Sequence, residues 1–345
     1  MKLINLLDVI IMFVGLGLST KRPIGTYLRI ADVADVAGFN TFWIPDMNPS
    51  SPYLEQYVTL SAVVAITERM MIGPGVSNPY SRHPAMIARA IATLYDLSNG
   101  RVFLGFGAGG ALALKPLGFP LWDQPYRSVL DAVESIKKLL AGETVTVKSK
   151  YFTIDSLSFN KEPKRDVPIY IGARSPNMLR LAGKIADGVV LSSSIEYIEL
   201  AKKYIQEGLN HRNRKMEDFK IINWVPSAFA KRPDESYDMV KLRVATYLLY
   251  HPISMLKKIN FDIDRLNEIR VAFNRGERDI AKDLVSEKMI NKFSICGSTK
   301  EILSKISAFK DAGVSEIVFG DPFSENEIVT INELRKSLLP IIKKI

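Results

Sequence analysis

Short apolar runs alternate with stretches of helical periodicity along most of the chain. Phe13–Ser19 has the length and composition of a buried strand. Ile24–Ala37 places Ile30, Val33, Ala34 and Ala37 on one helical face, with Gly38 as a stop. Thr41–Pro45 predicts a second strand, Tyr57–Ile66 a helix, Met71–Val76 a strand, and Pro84–Leu97 a helix with proline in its first turn. Arg101–Gly107 predicts the fourth strand. Tyr126–Ala141 predicts a helix with Val129, Val133, Ile136 and Leu140 on one face, ended by Gly142. Repeated strand–helix units imply a parallel sheet, because consecutive parallel strands need a crossover of this kind.

Between residues 143 and 160 the apolar period falls to two, which predicts an inserted hairpin. The earlier rhythm then returns: strand Val167–Gly172, helix Pro176–Ala186, strand Gly188–Leu191, helix Ile195–His211 and strand Lys220–Ala230. Residues 231–292 are mostly of helical character and too long for one crossover, so they predict a helical insertion. Ser298 with Glu301 three residues on is a capping box opening a helix that Gly313 ends. Ser315–Gly320 is the last predicted strand and Asn326–Ile342 the last helix.

Eight strands with helices between them predict an α/β fold, a (β/α)8 TIM barrel formed by residues 1–345 as a single domain with two insertions. The length beyond the roughly 250 residues of a plain barrel is the hairpin, the helical insertion and an N-terminal extension. An open doubly wound sheet is the competing architecture. Against it, Gly15-Leu16-Gly17 is followed by Leu18-Ser19-Thr20, so the first strand carries no G-x-G-x-x-G turn.

Composition removes several function classes. The single cysteine, Cys296, cannot form an internal disulfide, and the three histidines are too scattered for a metal-ligand cluster, so no metal is expected. The apolar run from Val9 to Leu18 is too short to span a bilayer and is not followed by a small-x-small cleavage site before Thr20. It reads as the first strand of a cytoplasmic protein without a membrane partner, and Met12 is a plausible alternative start. Lys and Arg exceed Asp and Glu by 46 − 37 = 9, but the basic residues are scattered and aromatics do not interleave with a basic stripe. The charge therefore reads as a solvated surface, and no nucleic acid is expected.

Barrel active sites lie at the C-terminal ends of the strands. Here those ends are rich in glycine and small hydroxyls and poor in histidine, cysteine, lysine and glutamate, a composition suited to a large flat ligand and ill supplied for covalent or acid–base chemistry. At Gly172-Ala173-Arg174-Ser175-Pro176 a strand ends in small residues and a helix opens. Its exposed N–H groups and Arg174 offer a phosphate site, the alternative being an ordinary capped helix. Gly73–Pro79, with two glycines and two prolines, suggests a backbone irregularity under a ligand or a plain turn. The loop containing Gly105 and Gly107 could pass beneath a ring system, but no Gly-Lys-Ser/Thr follows to make it a P-loop. Asp46 is the one carboxylate at the strand tips of the first half, for proton transfer or for capping a turn. His83 either contacts a substrate or phosphate, or starts its helix.

Asn78-Pro79-Tyr80-Ser81-Arg82-His83-Pro84, Ala90–Leu94, Leu97–Arg101 and Leu104–Gly107 together resemble the luciferase-like flavin and deazaflavin oxidoreductases, nearest the methylene-tetrahydromethanopterin reductase branch. Pro168–Ala173, Leu181-Ala182-Gly183, Ala186–Val189 and the helix from Gly297 to Gly313 follow the same pattern. The resemblance covers roughly residues 13–320. It implies a (β/α)8 barrel, usually dimeric, that moves hydride between coenzyme F420, or alternatively FMN, and a small-molecule substrate. A bulge after the third strand, often with a non-prolyl cis peptide, supports the ring in this family and maps onto Gly75-Val76, followed by Ser77 and Asn78. The phosphate maps onto Gly172, Ala173 and Arg174, with Ser175 and Ser192 beside it. Two departures stand out: Met47 replaces the histidine usual after Trp-x-x-Asp, and Gly107-Ala108-Gly109-Gly110 lacks the acid of the reductase branch. Met47 and His83 are the candidate substrate contacts and Asp46 the candidate catalytic group. An FMN-dependent monooxygenase and a non-catalytic flavin-binding barrel are the competing functions.

Overall fold

The computed structural model describes residues 12–46, 53–110, 114–119, 124–159 and 164–344. Eight parallel strands form one sheet: β1 (Phe13–Gly17), β2 (Thr41–Ile44), β3 (Met71–Pro74), β4 (Leu104–Gly107), β7 (Ile169–Gly172), β8 (Gly188–Leu191), β9 (Lys220–Ala228) and β10 (Glu316–Phe323). Their order is β3-β2-β1-β10-β9-β8-β7-β4. Its two ends meet: Ile72 bridges Val102 and Ser77 bridges Phe106, with Gly107 N–H donating to the Ser77 carbonyl at 2.9 Å. That closure makes the sheet a barrel and removes the open doubly wound alternative. The predicted hairpin is present as antiparallel β5 (Val145–Lys148) and β6 (Thr153–Leu157).

The helices α1 (Ile24–Ala37), α2 (Gln56–Ile66), α3 (Pro84–Leu97), α4 (Pro125–Leu140), α5 (Pro176–Ile185) and α6 (Ile195–Asn210) follow their strands around the outside. The 231–292 segment folds into α7 (Pro233–Leu248), α8 (Ile253–Lys258), α9 (Ile263–Asn274), α10 (Arg278–Asp283) and α11 (Glu287–Phe293). α12 (Thr299–Asp311) opens with the predicted capping box between Ser298 and Glu301. The last helix is a correction: it is two, α13 (Glu327–Lys336) and α14 (Leu339–Ile342). Pro340 has no N–H to continue a helical ladder, and the chain breaks at Ser337–Leu338 so that proline falls in a first turn instead.

Two cores result. The larger lies between strands and helices. The smaller fills the barrel with Trp43, Phe103, Tyr170, Val190, Ile222, Trp224 and Val318. At its lower end the buried carboxylate of Glu316 accepts from the Thr41 hydroxyl and, at 3.0 Å, from the Trp43 indole N–H. Burial raises the Glu316 pKa against the opposing pull of the Thr41 and Trp43 hydrogen bonds.

Part of the positive charge has a structural use at the same end. Lys343 donates to the Gly38 carbonyl after α1, and Arg101 to Thr67 after α2. Lys137 and Arg214 donate to Ile185 and Ala186 at the end of α5, and Lys202 to Ala312 after α12. Helix C-termini expose unpaired carbonyls and carry partial negative charge, and these five cations meet both needs.

Candidate active site at the strand ends

The upper mouth of the barrel is built around an irregular exit from β3. The Gly75-Val76 peptide is cis, at the position the family resemblance implies. The chain leaves the sheet after Pro74 and rejoins it at Ser77, whose N–H donates to Gly105 O at 2.9 Å. A Cβ on Gly105 would collide with the Pro74 carbonyl, so glycine is required at this point of β4. The Val76 side chain lies over β4 and β7. Cβ atoms built on Gly107 and Gly172 would meet its methyls at 3.2 Å and 3.4 Å. Val76, Gly107 and Gly172 thus form a flat apolar floor.

Trp224 lies beneath this floor, and its indole occupies the space that side chains on Gly17, Gly75 and Gly320 would need. This modifies the sequence expectation. Several strand-end glycines, Gly75 and Gly105 among them, make room for the protein's own tryptophan and backbone rather than directly for a ligand. Among the described residues neither the buried indole Nε1 nor the buried hydroxyl of Thr20 after β1 has a hydrogen-bond partner.

On the β2 side Asp46 is half-buried and accepts from Asn78 Nδ2 at 3.1 Å. Burial, reinforced by Glu55, pushes its pKa up to about 6 against the opposing pull of Arg82, Ser81 and Asn78. Ser77 and Asn78 are committed to the protein: the Ser77 hydroxyl accepts from Tyr57 at 3.1 Å, and Asn78 Oδ1 accepts the N–H groups of Tyr80 and Ser81. His83 is likewise occupied. Its Nδ1 accepts from Ala85 N–H as the N-cap of α3, and Nε2 lies 3.1 Å from Thr153 O of the hairpin. The structure therefore gives His83 the helix-start role that sequence left open and no free nitrogen for a substrate. Met47 lies outside the described residues.

On the opposite side β7 runs through Gly172 and buried Ala173 to Arg174, and the Ser175 hydroxyl caps α5 by accepting from Met178 N–H. Arg174 Nε is shut off from solvent and has no hydrogen-bond partner among the described residues. Among the described residues no carboxylate pairs with this guanidinium, which lies 5.6 Å from the centre of the Tyr250 ring. Burial lowers its pKa, against the opposing pull of the nearby hydroxyls of Tyr197, Tyr247 and Tyr250. Tyr197 also donates to Arg174 O.

His251 stands behind this group, between Tyr247 O and the Ser193 hydroxyl, each 3.0 Å away, and next to the buried Ser192. Burial and the nearby Arg174 depress its pKa to about 3, so it is neutral. Arg243 reaches Asp321 at the end of β10, at 3.3 Å. None of Arg243, Tyr247, Tyr250 and His251 was singled out from sequence. They belong to the helical insertion, and the run Tyr247…Tyr250-His251-Pro252 at a helix end was the available signal.

The family model for luciferase-like monooxygenases matches residues 8–316. A 5,10-methylenetetrahydromethanopterin reductase of Archaeoglobus fulgidus is 30% identical over 90% of this chain and 94% of its own length. An F420-dependent glucose-6-phosphate dehydrogenase of Microbacterium testaceum is 28% identical over 90% and 91%. The solved structure of the coenzyme F420-dependent tetrahydromethanopterin reductase from Methanopyrus kandleri superposes with a TM-score of 0.87 at 28% identity, covering 96% of this chain and 99% of the other.

Proposed function

The chain belongs to the luciferase-like family, and we propose that it is an oxidoreductase transferring hydride between coenzyme F420 and a small organic or pterin-like substrate. The observation that carries this reading is Arg174, whose buried Nε has no hydrogen-bond partner among the described residues, at the rim of the floor made by Val76, Gly107 and Gly172. A cation desolvated without a carboxylate is costly unless an anion completes it. Relatives that match this chain almost end to end are named as F420-dependent or as methylenetetrahydromethanopterin reductases.

The residues present fit that coenzyme. Gly75, Val76, Gly107 and Gly172 would hold its ring, and Ala173, Arg174, Ser175 and Ser192 its phosphate. When bound, the deazaflavin supplies the carbon that gives or receives hydride, which leaves the protein to position and to manage protons. Asp46 is the group able to do the latter. With a pKa of about 6 it changes protonation state just below neutrality, so its protonated form can offer a proton to a reduced product and its ionised form can take one from a substrate being oxidised. Gly105 and Trp224 support the floor from beneath.

Exposed Val58 on α2 and Met86 on α3, two helices in contact, support a homodimer through that face, which light scattering on the purified protein would check. Equilibrium titration with F420 and FMN tests the cofactor assignment. Tight F420 binding and substrate-dependent bleaching of its absorbance are expected. Tight FMN binding with no F420 binding would overturn the assignment in favour of flavin monooxygenase chemistry, and F420 binding with no turnover on any substrate would leave a non-catalytic barrel.

A further inference from the structure

The helical insertion brings aromatic side chains up to Arg174 at the end of β7, with the Tyr250 ring centre 5.6 Å from its guanidinium. Arg174 comes from the β7–α5 turn and Tyr197 from α6, while Tyr247, Tyr250 and His251 come from the end of α7 and the turn after it. Among the described residues the charged groups near Arg174 are few. Arg174 contributes one positive charge. Arg243, the other cation close to Tyr247 and Tyr250, is paired with Asp321. Asp321 also meets Arg22 at 3.4 Å, and Arg22 meets Glu327 at 2.6 Å, so these two arginines and two carboxylates cancel. His251 is neutral, and burial raises the pKa values of Tyr197, Tyr247 and Tyr250. The start of α5 adds the fraction of a positive charge that a helix N-terminus carries.

We infer that this site selects a phosphodiester monoanion over a phosphomonoester dianion, with Tyr247 and Tyr250 of the insertion as its uncharged wall. The inference rests on the cofactor reading above and deepens it. A phosphodiester carries one negative charge, which one guanidinium and a helix end balance. A phosphomonoester carries about −1.5 to −2 at neutral pH and would leave close to a full charge uncompensated in a desolvated site. The phosphate of F420 is a diester and that of FMN a monoester. The charge count therefore separates the two cofactors independently of their rings, and no second lysine or arginine is needed where the family comparison alone would leave both open.

The experiment compares three ligands on one ring: 8-hydroxy-5-deazariboflavin, its 5′-phosphate and its 5′-(methyl phosphate), titrated by fluorescence at pH 8. The same series on riboflavin keeps the phosphate comparison independent of which ring is native. The methyl diester is expected to bind at least about tenfold more tightly than both the monoester and the phosphate-free ring, and Arg174→Met should reduce it to the phosphate-free level. A monoester that binds as tightly as the diester, or a diester advantage that survives Arg174→Met, overturns the inference. Should that variant not fold, the wild-type series decides alone, with Tyr250→Lys as a second variant. An added cation there should bring the monoester level with the diester, and an unchanged ratio counts against the inference. F420 that binds without a diester preference removes this inference and leaves the cofactor reading standing. A diester preference confined to the riboflavin series removes the cofactor reading and leaves this one. If no member of either series binds, both fall.

Discussion

The two ends of the barrel treat polar groups in opposite ways. At the lower end, Glu316, Thr41 and the Trp43 indole satisfy one another inside the barrel, and five cationic side chains close the carbonyls of four helix ends around it. At the upper end Arg174 Nε, Trp224 Nε1 and the Thr20 hydroxyl are buried without partners among the described residues, and burial pushes the Asp46 carboxyl up to about 6. Buried polar groups in folded proteins are nearly always paired, so unpaired ones concentrated at one end mark where a ligand completes the structure. The lower end is finished by the chain itself and so contributes stability. The upper end is left incomplete and so contributes binding and chemistry.

That contrast can be broken most directly at Gly172. Its missing Cβ has ordinary room, so Gly172→Ala should leave stability and F420 affinity nearly unchanged. Gly172→Asp places a carboxylate beside Arg174 and the cofactor phosphate. A loss of about 100-fold or more in F420 affinity is expected at little cost in melting temperature. Unchanged affinity would remove Gly172 from the site.

Glu316→Ala tests the finished end. Removing the acceptor of the Thr41 hydroxyl and one of the two acceptors of the Trp43 indole, and opening a cavity, should cost about 2–4 kcal/mol in chemical denaturation, with F420 affinity in the folded protein held within a few fold. A parallel collapse of cofactor binding would show that the two ends are not separable.

Asp46→Asn comes next in size. The folded pKa is raised, so the protonated carboxyl is the form that folding favours. Its stability contribution is full below about 4, is lost as pH rises to about 6, and is flat above that. Reduction of substrate should slow as pH rises through about 6, and oxidation should quicken over the same range. In Asp46→Asn both limbs should flatten and the rate fall by at least about tenfold. A limb near pH 6 that persists in the variant would assign it to another group. The smallest effect expected is for Lys343→Met, which opens the end of α1 and should cost about 0.5–1 kcal/mol with no change in kinetics.

Much of the fold was legible along the chain. α1, α3 and β8 begin and end where apolar periodicity, Gly38 and Pro84 place them, because helix stops and caps are local. The break at Ser337 was not read, since an unbroken apolar pattern masked the effect of Pro340. The site was legible in part. Gly75-Val76, Gly172 and Arg174 carry signals in the turn chemistry of their own segments. The same glycine density also suggested that the strand ends were cleared for a ligand, whereas Gly17, Gly75 and Gly320 are cleared for Trp224, distant in sequence.

What the sequence determined by itself was the repeated strand–helix unit, the parallel barrel it closes into and the scarcity of acid–base residues at the strand ends, all set by composition and period within short windows. The tertiary structure alone decided the charge balance of the mouth. Whether Arg174 is paired, whether His251 is neutral and whether Arg243 is already spent on Asp321 depend on which side chains from the insertion reach β7, β8 and β10 through space. Desolvation and pairing are properties of a three-dimensional neighbourhood, and no local pattern encodes them.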